Sequence, residues 1–169
     1  MTLDSVARAV APWQSLYDRS TAVSTAVMVL HLGALLIAGG LAIAADRATL
    51  RALRRPIDER RSPLAELHAV HSPVLLALTV VFASGLLLAA ADVPTFAVSL
   101  TFWFKMALVV LLLMNGARLR RTERQIGVAY ALGTEAPARL WRSLRRGARL
   151  SLALWLLTTA AGTVLTNAA

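Results

Sequence analysis

The sequence predicts an all-α integral membrane protein, a four-helix bundle with an interfacial helix at its N-terminus. Three observations lead there. The 169-residue chain is 57% apolar and 16% charged, with a mean hydropathy of +0.63, where a soluble domain is about 45–50% apolar and about 25% charged. Four apolar stretches, at about 21–45, 68–91, 96–116 and 150–166, each have the length that a hydrocarbon core requires, about 17–25 residues. None of the nine Asp and Glu residues falls inside them. The composition also excludes disorder, and the absence of cysteine excludes a disulfide scaffold, a thiolate zinc or iron–sulfur site and a thiol nucleophile.

Residues 1–20 form a separate outer-face segment. Leu3, Val6, Val10, Trp13 and Tyr17 recur at helical spacing, with Pro12 as an interruption, and Trp13 and Tyr17 suit the headgroup layer. The first span, 21–45, is expected to be a retained helix and not a cleaved leader, because its apolar run exceeds the about 7–15 residues of a secretory core. Its helix continues past Arg47 and breaks at Pro56. A new helix is expected from Ser62-Pro63, with Ser62 as cap and Glu66 in the first turn. The segment between the third and fourth spans reads as helical at both ends, with a turn at 133–137. The four spans, 21–169, make one membrane domain.

The basic residues orient the spans. Six Arg lie between spans one and two and nine between spans three and four, against Arg8 and Arg19 on the other side. The positive-inside rule puts both termini outside and both long loops in the cytoplasm of a bacterial inner membrane. The net charge of +9 is thereby assigned to anionic headgroups and not to nucleic acid, for which no interleaved aromatic surface or module is present.

Two polar residues stand at matching depth inside the spans. Lys105, the one lysine of the chain, lies about 14 Å below the outer face and His31 about 15 Å below it. An ionisable group there costs roughly 2.5–3.5 kcal/mol on insertion scales, which makes it a functional candidate by default. His68 and His71 share a helix face at the cytoplasmic end of span two. His71 is the backup partner for His31 in a bis-His metal site, although it lies about 10 Å away in depth. Each also has a structural reading: His31 bonding a Ser, Thr or carbonyl of a neighbouring helix, Lys105 bonding Thr101 or an upstream carbonyl, Asn115 bonding His71. Met28 and Met106 flank the His–Lys level and suit Cu(I), or serve as gap-fillers. Gly33, Gly39, Gly40 and Gly85 permit close helix approach, and Phe102, Trp103 and Phe104 either line a porphyrin pocket or face lipid. No Ser-His-Asp set, phosphate loop or carboxylate pair is visible. Whether the chain is an enzyme is left open.

The order His31-Leu32-Gly33, Gly39-Gly40, Asp46-Arg47, then Ser72-Pro73 and Ser84-Gly85, then Phe102 to Met106 and Asn115 resembles the four-helix bacterial membrane proteins grouped around CopD and the HemJ-type protoporphyrinogen oxidases. The HemJ-type resemblance, over roughly 29–124, implies a bundle holding a b-type haem, with the family's functional His and Lys at His31 and Lys105. Ala34 to Ala38 and Asn115-Gly116 stand where that family has an aromatic run and a Tyr-His pair, departures that count against protoporphyrinogen oxidation and leave haem binding open. Two functions are expected. One is a small b-haem redox or electron-transfer component with His31 as axial ligand and Lys105 or His71 as the second ligand or a propionate partner. The other is a cofactor-free accessory or scaffold subunit of a larger respiratory or photosynthetic complex, in contact with lipid and other membrane subunits.

Overall fold

A computed structural model describes residues 3–56 and 61–168, with side chains at 5–56, 73–74 and 76–164. The described residues form six helices and no strand: α1 (Leu3–Arg19), α2 (Thr21–Ala52), α3 (Arg61–Ala91), α4 (Val93–Val98), α5 (Leu100–Ala131) and α6 (Ala138–Ala168). The four long ones, at 31 or 32 residues, each reach about 47 Å.

Local chemistry sets the boundaries. Ser20 caps α2, its hydroxyl accepting from the Val23 amide at 3.3 Å. The third apolar stretch, expected to run unbroken from Phe96, is divided at Ser99. Asp92 caps the short α4 through the Thr95 amide, and Ser99 then turns extended and caps α5 through the Phe102 amide at 3.2 Å. The turn after α5 uses Gly133 at φ +69°, a conformation that an L side chain rarely adopts. α1 carries through Pro12 without a break. Its Trp13 Nε1 donates to the Leu87 carbonyl of α3 at 2.9 Å, and Trp13 meets Tyr17 ring to ring at 5.9 Å, so tertiary anchoring holds the helix where the proline removes a backbone bond.

α2 pairs with α3 and α5 with α6, and the two hairpins meet along an α2–α6 seam. Ala38, Ala77, Leu108, Leu112, Leu154, Trp155 and Ala161 make one core that takes residues from all four long helices. Leu53, Ile126, Ala136, Trp141 and Leu144 make a second, at the end where α5 and α6 turn. Small side chains let these helices close. A Cβ on Gly39 would touch Trp155 at 3.4 Å, and one on Gly147 would stand 2.7 Å from Leu119 Cδ2. Beside Gly147, Asn115 Nδ2 donates to the Gly147 carbonyl at 2.9 Å. Gly33 and Gly40 face open space, so only part of the glycine set serves close packing.

The exterior of the bundle is unusually apolar, and several polar side chains lie inside it. Asp46, Thr49, Ser84, Asn115, Thr122, Ser151 and Thr158 are buried, while Leu36 is 75% exposed, Leu76 68% and Leu156 68%. Two helices, Thr21–Ala52 and Leu100–Ala131, are long and apolar enough to cross a membrane, and 22% and 17% of the residues in their most apolar windows are buried inside the protein. A core helix of a soluble domain hides most of such a window.

The Gly147–Leu119 crossing is testable. Gly147→Ala is expected to lose about 1–3 kcal/mol, because Leu119 must leave its rotamer. Combining it with Leu119→Ala should cost less than the two single changes added together, as read from thermal unfolding in detergent.

Candidate functional site

The histidine of α2 and the lysine of α5 come to one level of the bundle. His31 is half-buried, and its Nδ1 lies 3.0 Å from Ser84 Oγ on α3. Ser84 is among the most buried side chains, 1% exposed. Its hydroxyl has a single proton, and Val80 O stands 2.6 Å away with Val81 O at 3.2 Å. That proton is committed to the backbone of its own helix. Ser84 Oγ therefore accepts from His31, which places the imidazole proton on Nδ1 and leaves a lone pair on Nε2.

The ring has little freedom. Gly85 presents bare backbone to it, and a Cβ there would come within 3.2 Å of His31 Cε1. Lys105, half-buried, is within electrostatic reach of His31. Its Cε and Nζ lie 3.7 Å from where a Cβ of Gly162 on α6 would be. Each long helix thus supplies one part of the level: His31 from α2, Ser84 and Gly85 from α3, Lys105 from α5 and Gly162 from α6.

Other expected participants lie elsewhere. His68 and His71 are in α3, but their side chains fall outside the described residues. Asn115, expected to bond His71, gives its amide to Gly147 on α6. Trp103 and Phe104 are 57% and 56% exposed and turn outward, with Trp103 Nε1 donating to the Ala97 carbonyl at 2.9 Å. Phe102 stacks between Phe96 and Trp103. Met28 is an exposed side chain. Among the described residues no group of three or more His, Cys, Asp or Glu could hold a metal ion.

The structure also gathers groups that the sequence reading kept apart. Asp46 lies inside α2 and is buried, although the apolar stretch ends one residue before it. It shares a cavity of about 110 Å³ with Glu123 and Arg120 of α5 and Ser151 of α6. A carboxylate pair therefore exists, assembled across two helices that are far apart in sequence. The one hint in the chain was an Asp placed directly after an apolar run.

Comparison of the chain with protein-family models, with curated proteins and with solved structures finds no match.

The assigned tautomer has a spectroscopic signature. In ¹⁵N-histidine spectra of the detergent-solubilised protein, the resonance lost in His31→Ala is expected to be protonated at Nδ1 and bare at Nε2. Ser84→Ala should weaken that preference without abolishing it, since the Val81 carbonyl still accepts from the ring, and should cost about 1 kcal/mol of stability.

Proposed function

We propose that this chain is a multi-pass protein of a bacterial inner membrane, its four long helices spanning the bilayer, and that His31 is a ligand for a b-type haem in a redox or electron-transfer role. The spanning reading is supported by the widely apolar exterior of the bundle, by the two helices of spanning length and by the apolar 76–91 part of α3. Both termini then lie outside, because the arginines cluster at the α2–α3 and α5–α6 ends, which places those ends in the cytoplasm. α1, anchored through Trp13, lies along the outer face.

One observation carries the haem reading: Ser84 holds His31 by Nδ1, so that Nε2 keeps its lone pair at the level of Lys105. A histidine ligand usually has its second nitrogen tied in this way, which fixes ring orientation and raises basicity. The donor set thus fits the group. The haem when bound supplies one-electron chemistry at its iron. His31 would hold it, Lys105 would act as a second ligand or pair with a propionate, and His71 remains the alternative second ligand by sequence position. Gly85 limits how far the imidazole can tilt.

A second reading has its own support. Lys105 packs against Gly162 and His31 against Gly85, so the side chains themselves occupy the room that the glycines provide. A cofactor-free bundle closed by its own polar level, with a wide apolar exterior, suits an accessory or scaffold subunit of a larger membrane complex.

Absorption spectra of protein purified from haem-replete cells separate the two. The redox reading expects a Soret band with reduced α and β bands, lost in His31→Ala. A blank spectrum together with stoichiometric co-purifying subunits favours the scaffold reading. The topology has an independent check, because the chain has no native cysteine. A cysteine at Glu135→Cys should react with an impermeant maleimide only from the cytoplasmic side, and one at Thr95→Cys only from outside.

A further inference from the structure

The cavity around Asp46 is two-sided. Along the bundle, one end is walled by Ala42, Leu78, Leu112 and Trp155, and the other by Thr49, Ser151, Arg120 and Glu123. All four long helices contribute, α3 through Val74 and Leu78. Asp46 is 7% exposed, and its Oδ2 has no hydrogen-bond partner. Ser151 bonds the same carboxyl group, and the Glu123 charge acts on it. An acceptor oxygen held out of water without a donor costs about 1–3 kcal/mol, and more when charged. A buried acceptor of this kind, set in the wall of a cavity, marks a place for a donor.

The donor's chemistry follows from the walls. Burial and the Glu123 charge push the Asp46 carboxyl up to about 7 against the pull of the Ser151 bond, so a cation placed between the two carboxyl groups is what would relieve their repulsion and hold Asp46 ionised. A bare metal ion requires about six oxygen ligands around it, whereas here the polar atoms stand at one end only and the rest of the wall is apolar. We infer that the cavity between the four long helices binds a primary ammonium group carried on a short apolar body, with Asp46 Oδ2 as its principal acceptor and Glu123 as the second carboxylate. The apolar part lies toward Ala42, Leu112 and Trp155. An amine of this class can come from free solution or from the headgroup of an aminophospholipid. That the polar end faces the cytoplasm rests on the four-span reading; the ammonium site does not depend on the haem.

The test uses the full chain in phosphatidylcholine nanodiscs, titrated with n-butylammonium and with n-butanol, by calorimetry and tryptophan emission. Saturable binding of butylammonium is expected, weakened about tenfold or more by Asp46→Asn and to a smaller degree by Glu123→Gln, and unchanged in His31→Ala. Butanol should bind more weakly than butylammonium to the unaltered protein, a comparison that stands even if Asp46→Asn fails to fold. Replacing part of the lipid by phosphatidylethanolamine distinguishes the sources: competition with butylammonium identifies the lipid headgroup, and its absence a free amine. Equal affinity for the alcohol and the ammonium, no saturable binding of the ammonium, or full binding by a folded Asp46→Asn protein would overturn the proposal.

Discussion

Close helix approach at glycine is the constraint on which the rest of this bundle depends. Four glycines each receive one side chain from a neighbouring helix: Gly39 takes Trp155, Gly85 takes His31, Gly147 takes Leu119 and Gly162 takes Lys105. These contacts fall on the three seams that define the architecture, α2–α6, α2–α3 and α5–α6. A Cβ would clash at Gly147 and crowd the imidazole at Gly85, while at Gly39 and Gly162 it would make ordinary contact with the incoming group. Under the membrane-spanning proposal such fits matter more than burial of large side chains, because lipid offers leucine as much as a helix neighbour does.

Two of those four fits hold the polar residues of the His31–Lys105 level, so packing and chemistry are the same feature there. The Ser84 hydroxyl satisfies its own helix and the imidazole together, which removes the cost of a buried donor and decides which ring nitrogen stays available. The seam makes the site, since α3 must come close at Gly85 for Ser84, its neighbour in sequence, to reach His31. The Asp46 cavity lies toward the other end of the bundle, where the helices carry carboxylates and arginines and close less completely.

Much of the fold was legible in the chain. Hydropathy and length located the long helices, and Gly133 and Pro137 marked the α5–α6 turn, whereas Trp13, expected in the headgroup layer, bonds the Leu87 carbonyl of α3. The split at Ser99 was not, since a Ser within an apolar run is as compatible with a helix interior as with a cap. Of the site, His31 and Lys105 were visible as rare ionisable residues at similar depth. Ser84, Gly162 and the pairing of Asp46 with Glu123 were not, because serine, glycine and flanking carboxylates are common and acquire meaning only from what faces them.

By itself the sequence determined the helical class, the number of long apolar segments and the concentration of arginine at one end, because these follow from composition and periodicity along a single chain. The tertiary structure alone decided which helices pair, which glycines receive which side chains, which nitrogen of His31 keeps its lone pair and which carboxylates meet. Those depend on the rotation of each helix about its own axis, and that rotation is set by contact with neighbours, not by a helix whose apolar residues run nearly all the way round it.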